Sequence, residues 1–212
     1  MLPTQYAPAG QSWHDACVDT GDPQVLLRSP EGQAIFRSTR NPLALLQGLC
    51  RLLEPVLEKG YAEACQVSAD ADALLVAPGA LPIAQALNES RDLPFASAFL
   101  QPNHPTREFG CWLFPDPPAW LPFRGRLRRA SYQLTWQMLY RIVRGANDAA
   151  RRNVLGLGPG VNPFAAMLRE RWPTLYGISS SVLPRPADWG PELELTGYWF
   201  LRHLTVPQLA QL

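Results

Sequence analysis

The sequence predicts an α/β fold built on a parallel sheet. Two observations carry this. The stretches ADALLVAPGA (71–80) and PFASAFLQP (94–102) are short continuous apolar runs, the pattern of strands buried on both faces, and helical LPIAQALNESR (81–91) lies between them. Strand, helix and strand at that spacing make a βαβ unit, hence parallel pairing. A third observation lies near the end of the chain, where Leu193 and Leu195 alternate with Glu192, Glu194 and Thr196 in the period-two pattern of a half-buried strand.

The remaining elements follow in order. Residues 1–23 are irregular, broken by Pro3, Pro8, Gly10, Gly21 and Pro23, and residues 24–37 allow one or two short helices interrupted at Pro30. Asn41-Pro42 opens a strong helix, asparagine capping and proline filling the first turn. Leu45, Leu46, Leu49, Leu52, Leu53, Val56 and Leu57 give it one apolar face, with a kink expected at Pro55. The segment 101–125 is a long loop rich in proline and aromatic residues, a length that usually marks function or mobility. The longest helix spans 126–152: Tyr132, Trp136, Leu139, Tyr140 and Val143 crowd one side, extended by Ala130, Leu134, Met138 and Ile142. LGLGPG (155–160) stops it, Asn162-Pro163 opens a short helix through Arg171, and TLYGISSSVLP (174–184) reads as a strand. PRPADWGPELELTGYWFL (184–201) then gives a Pro-rich connector, a turn at Gly190-Pro191, a short strand and an aromatic cluster.

Composition narrows the function. The 212 residues can bury a real core, and 47% hydrophobic with 17% charged residues describes a globular chain. A formal net charge of +1 gives no reason to expect a nucleic-acid partner. Cys17, Cys50, Cys65 and Cys111 form no CxxC pair and His14, His104 and His203 are scattered, so no zinc site is expected and the thiols fit a reducing cytoplasm. MLPTQYAPAG has neither the basic start nor the apolar stretch of a signal peptide, and no apolar run is long enough to span a membrane. The expectation is a cytoplasmic protein, soluble or peripheral at the membrane.

In fixed order, ADALLVAP, LPFASAFLQPNHPTREF, SYQLTWQMLYRIV with ARRNVLGLGP, and LYGISSSVLPRPADWGPELELTGYWFL resemble the acceptor-side half of GT-B glycosyltransferases. The sterol and lipid glucosyltransferases and the antibiotic-aglycone glycosyltransferases are the nearest in kind. The resemblance covers roughly residues 22–205 and is strongest over PRPADWGPELELTGYWFL. It implies a Rossmann-like half-domain, with an irregular segment 1–21, a GT-B N-terminal acceptor-binding domain at 22–200 and the start of an interdomain linker at 201–212. It further implies transfer of a hexose from a UDP-glucose-like donor to a hydroxyl on a hydrophobic acceptor, by direct inverting displacement, with no metal or other cofactor. Family members open with a strand and a Gly-Asp-Val turn that carries the base, and continue into a donor domain with a His/Gly-rich diphosphate motif. Neither pattern is present between Met1 and Leu212, so the first strand unit and the nucleotide-sugar site are expected elsewhere. A non-catalytic binding module or partner subunit of the same ancestry is the alternative.

Sugar transfer needs a base near the acceptor hydroxyl and electrostatic help for the departing diphosphate. No residue of the chain is assigned as catalytic. His104, in QPNHPTREF, follows a strand's carboxyl end, where α/β sheets place ligands, and could orient an acceptor with Gln101, Thr106 and Arg107 beside it. The plainer reading is a solvated loop histidine. Phe109, Trp112, Phe114, Trp120 and Phe123 either line an apolar acceptor pocket or pack; Phe109 and Trp112 join the acceptor-binding set. Arg124, Arg126, Arg128 and Arg129 oppose the dipole at the head of the long helix, which suits a lipid-headgroup contact or, more plainly, a solvated face. His14-Asp15 reads as a surface dipeptide, Asp70 and Asp72 as turn caps, and GLGPG (156–160) as a helix stop and not a phosphate loop, since a helix precedes it.

Overall fold

A computed structural model of the protein describes residues 42–199. The expectations for residues 1–41 and 200–212, His14 among them, lie outside the described residues. The elements are helix α1 (Pro42–Val67), strand β1 (Leu74–Val76), a 3-10 turn (Pro78–Ala80), helix α2 (Leu81–Arg91), strand β2 (Phe95–Phe99), helix α3 (Arg124–Leu155), helix α4 (Pro163–Glu170), and strands β3 (Thr174–Tyr176) and β4 (Leu193–Leu195). The four strands form one sheet in the order β1-β2-β3-β4, and every pair is parallel. This is the mixed α/β architecture that the apolar runs predict, and it is consistent with the Rossmann-like half-domain that the resemblance implies.

Two apolar clusters hold it. One joins the sheet to α3 and α4 through Val76, Phe99, Tyr132, Trp136, Met167, Tyr176, Trp189 and Leu193. The other packs α1, α2 and α3 together around Tyr61, Ile83, Leu87 and Ala150. At its edge Arg151 is buried, with Nε donating to the Gly158 carbonyl at 2.9 Å and Nη2 to Glu89 at 2.6 Å. Tyr61 donates to Asn147 Oδ1 at 2.7 Å and approaches the Pro82 carbonyl at 3.0 Å, so the buried polar groups of this cluster are satisfied.

Several elements depart from the sequence pattern. The run 71–80 is not a strand buried on both faces: only Leu74–Val76 pair, Leu75 is 61% exposed on the opposite face from Val76, and Pro78 turns the chain into the 3-10 turn. At 174–184 only Thr174–Tyr176 form a strand. Ser179 diverts the rest, its carbonyl accepting from Val182 and Leu183 and its hydroxyl from Ser181, a local bonding pattern that competes with a ladder. On α3 the buried stripe is Tyr132, Trp136 and Tyr140, continued by Asn147 and Arg151. Leu134 and Met138 sit two residues on from stripe members, about 200° around the axis, and are exposed along with Ala130 and Leu139.

The caps obey the sequence. Gly156 ends α3 at φ 67°, its N–H bonded to the Arg152 carbonyl at 3.1 Å, which makes LGLGPG a helix stop. Ser68 closes the end of α1 by bonding to the Ala64 carbonyl at 2.6 Å. Asn162 caps α4 by accepting from the Phe164 N–H at 3.0 Å, with Pro163 in the first turn. Asn162→Ala is expected to cost about 1 kcal/mol in a urea titration, the usual worth of such a cap; a midpoint unchanged from the parent would remove the cap from the account of α4.

Candidate functional site

Parallel α/β sheets receive ligands beyond the carboxyl ends of their strands. Here β2 leads into Leu100, Gln101 and the PNHPTREF loop, and β3 ends at Tyr176 beside it. The Tyr176 hydroxyl joins the two. It accepts from the backbone N–H of Asn103 at 3.2 Å and of His104 at 3.0 Å, and lies 2.6 Å from His104 Nδ1. With two donors already aimed at its oxygen, the hydroxyl gives its proton to Nδ1, so the imidazole proton sits on Nε2. His104 is 3% exposed, and burial pushes its pKa down to about 3; burial likewise raises that of Tyr176. Both are neutral at physiological pH. His104 is therefore no solvated loop histidine: the loop folds inward because Tyr176 satisfies its backbone donors.

Trp189 completes an aromatic cluster. Its indole stacks on Tyr176 at 4.8 Å between ring centroids, with His104 edge-on at 6.3 Å and Phe109 at 6.5 Å. Asp188 ties the same loop down, accepting from Thr106 Oγ1 at 2.6 Å and from the Arg107 N–H at 3.0 Å. Glu108 accepts from the Ala187 N–H at 2.6 Å, and Arg185 gathers the carbonyls of Trp189, Gly190 and Leu193. Between these segments lies a cleft of about 260 Å³ bordered by His104, Arg129, Arg171, Asp188, Trp189 and Glu192. Of the residues that border it, the Trp189 indole N–H and Glu192 Oε2 are buried atoms with no protein partner. Such a lining suits a small polar group better than the body of a sterol.

The structure gathers His104, Thr106, the Arg107 backbone and Phe109 around residues 185–190. Gln101 stands exposed at the end of β2, and Trp112 lies apart at 69% exposure on the loop toward α3. Sequence reading missed Tyr176, Asp188 and Trp189. The signal was present in PADWG, taken only as connector, while the partners lie 72 to 82 residues away in sequence. The arginines at the head of α3 also differ from a plain solvated face. Arg124 and Arg128 both bind Asp116, and Arg128 Nη1 donates to the Glu108 carbonyl at 2.5 Å, so loop groups offset the unfavourable dipole. Arg126 and Arg129 stay exposed. Among the described residues no group of three His, Cys, Asp or Glu side chains could hold a metal ion, and no helix is long and apolar enough to cross a membrane.

No protein-family model matches the chain. Individual proteins do. A Cryptococcus neoformans sterol 3-beta-glucosyltransferase is 32% identical over 191 residues, 85% of this chain, and a Yarrowia lipolytica protein of the same name is 28% identical over 187. Sterol 3-beta-glucosyltransferases are homologues of this chain. A Dictyostelium discoideum UDP-sugar-dependent glycosyltransferase is 29% identical over 122 residues, 55% of the chain. The aligned stretches are 11% of the Cryptococcus protein, 12% of the Yarrowia protein and 7% of the Dictyostelium protein, so the chain corresponds to a small part of each.

Proposed function

We propose that this chain forms the acceptor side of a GT-B glycosyltransferase that moves a hexose from a UDP-glucose-like donor to a hydroxyl of a sterol or similar lipid. The observation that carries the reading is the alignment of 85% of the chain with sterol 3-beta-glucosyltransferases, over residues that fold as a parallel α/β half-domain. Gln101, Arg107 and Trp112 expose their side chains and meet the acceptor. His104, Thr106 and Phe109 hold the loop that presents them. His104 is not the base, because its Nδ1 is occupied and burial holds its pKa far below the operating range. The donor diphosphate is held by groups of a facing domain, as in the family the sequence resembles.

The test is binding of a fluorescent sterol to the purified chain in detergent-free buffer. Covering an indole is worth a few kcal/mol, so Trp112→Ala is expected to weaken binding at least tenfold with an unchanged circular-dichroism spectrum. Equal affinity in parent and variant would take Trp112 out of the acceptor site; no sterol binding by the parent would sink the acceptor reading itself.

A further inference from the structure

The loop from Cys111 to Phe123 is anchored, yet it turns its largest apolar side chains outward. Trp112, Trp120 and Phe123 are 69%, 80% and 69% exposed, and Leu113 and Leu127 accompany them. The anchors are specific. The Cys111 N–H donates to Ser131 Oγ at 3.0 Å, Arg124 Nε to the Pro117 carbonyl at 2.7 Å, and Asp116 takes both Arg124 and Arg128. Phe123 caps α3, and Arg124, Arg128 and Ser131 fall within its first two turns, so the four span about 12 Å. The aromatic rings are thus presented together by a fastened loop on one small part of the surface.

The charge of this region is net positive. Residues 107–131 contain five arginines and two carboxylates, on a chain whose formal charge is +1. Both carboxylates are engaged, Glu108 by the Ala187 N–H and Asp116 by Arg124 and Arg128. Arg126 lies over the Phe123 ring at 5.3 Å, and Arg107, Arg126 and Arg129 keep exposed side chains. Exposed aromatic and apolar groups rimmed by cations match the chemistry of an anionic lipid surface: indoles favour the headgroup level, and arginines favour phosphate.

We propose that the loop Cys111–Phe123 and the head of α3 form a docking surface for anionic phospholipid bilayers, with Trp120 and Phe123 entering the headgroup layer and Arg126 and Arg129 meeting lipid phosphates. The proposal stands apart from the transferase reading, since it requires neither donor nor sterol.

The experiment is flotation of the whole chain with sterol-free vesicles, either phosphatidylcholine alone or phosphatidylcholine mixed with phosphatidylserine. Binding is expected to the mixed vesicles only and to fall with added salt. Each arginine near such a surface is worth roughly fivefold, so Arg126→Glu with Arg129→Glu is expected to weaken binding at least twentyfold. Trp120→Ser with Phe123→Asn is expected to weaken it more than tenfold. Asn suits the left-handed backbone of Phe123, where φ is 65°, so melting temperature is expected to hold. Absence of vesicle binding, equal binding by parent and variants, or equal binding to the two vesicle compositions would each overturn the proposal. So would a dimer on a sizing column that the Trp120/Phe123 variant abolishes while vesicle binding is unaltered, which would assign the surface to a second copy.

Discussion

Trp189→Ala is expected to destabilise the protein by about 4 kcal/mol, a large part of the margin of a typical domain. The indole is 5% exposed, stacks on Tyr176 and meets His104 and Phe109 edge-on. Truncation removes the apolar area and leaves a cavity between the PNHPTREF loop and the sheet, where the Asp188 bonds hinder collapse. The contrast is Trp189→Phe. That change keeps a ring over Tyr176 and deletes an indole N–H that has no protein partner, so a loss below about 1.5 kcal/mol is expected. Urea titration of both variants separates the contributions. Equal losses would mean that the stack is not what holds the loop.

Acidification is expected to weaken the fold from about pH 6.5 downward, through His104. Its pKa falls from the ordinary 6.5 to about 3 on folding because the buried ring cannot be hydrated when charged. Between those values the unfolded chain binds a proton that the folded chain refuses. Stability from this group is therefore complete above pH 6.5 and declines by about 1.4 kcal/mol for each pH unit lost, a total loss of roughly 3 kcal/mol by pH 4. Asp116, held at about 2 by its hydrogen bond from Arg128, acts in the same direction only as pH falls through the ordinary carboxylate range. The window from pH 6.5 to 5 thus isolates the histidine from this carboxylate. In His104→Asn the side-chain oxygen can accept from the Tyr176 hydroxyl but cannot titrate. Its urea stability is expected to be flatter than the parent's across that window, with His14 and His203 common to both. Parallel profiles would rule out His104 as the acid-labile group.

How much of this was legible beforehand differs by element. LPIAQALNESR was readable as a helix to the residue, because proline suits its first turn and its buried apolar positions recur at helical spacing. TLYGISSSVLP was not, because its apolar content suits a strand while the Ser179 turn diverts the chain from the ladder. The α3 stripe was readable through Tyr132, Trp136 and Tyr140, yet Leu134 and Met138 show that apolar character does not say which side of a helix is covered.

The sequence by itself determined the parallel α/β architecture, the helix stops, and the ancestry shared with sterol 3-beta-glucosyltransferases, because these rest on local periodicity, capping chemistry and extended order along the chain. Only the tertiary structure decided the state of His104, the partners of Thr106 and Arg107, and the exposure of Trp112, Trp120 and Phe123. Hydration, protonation and hydrogen-bond occupancy depend on what lies across a contact. For His104 that is Tyr176, 72 residues away, and for Thr106 it is Asp188, 82 residues away.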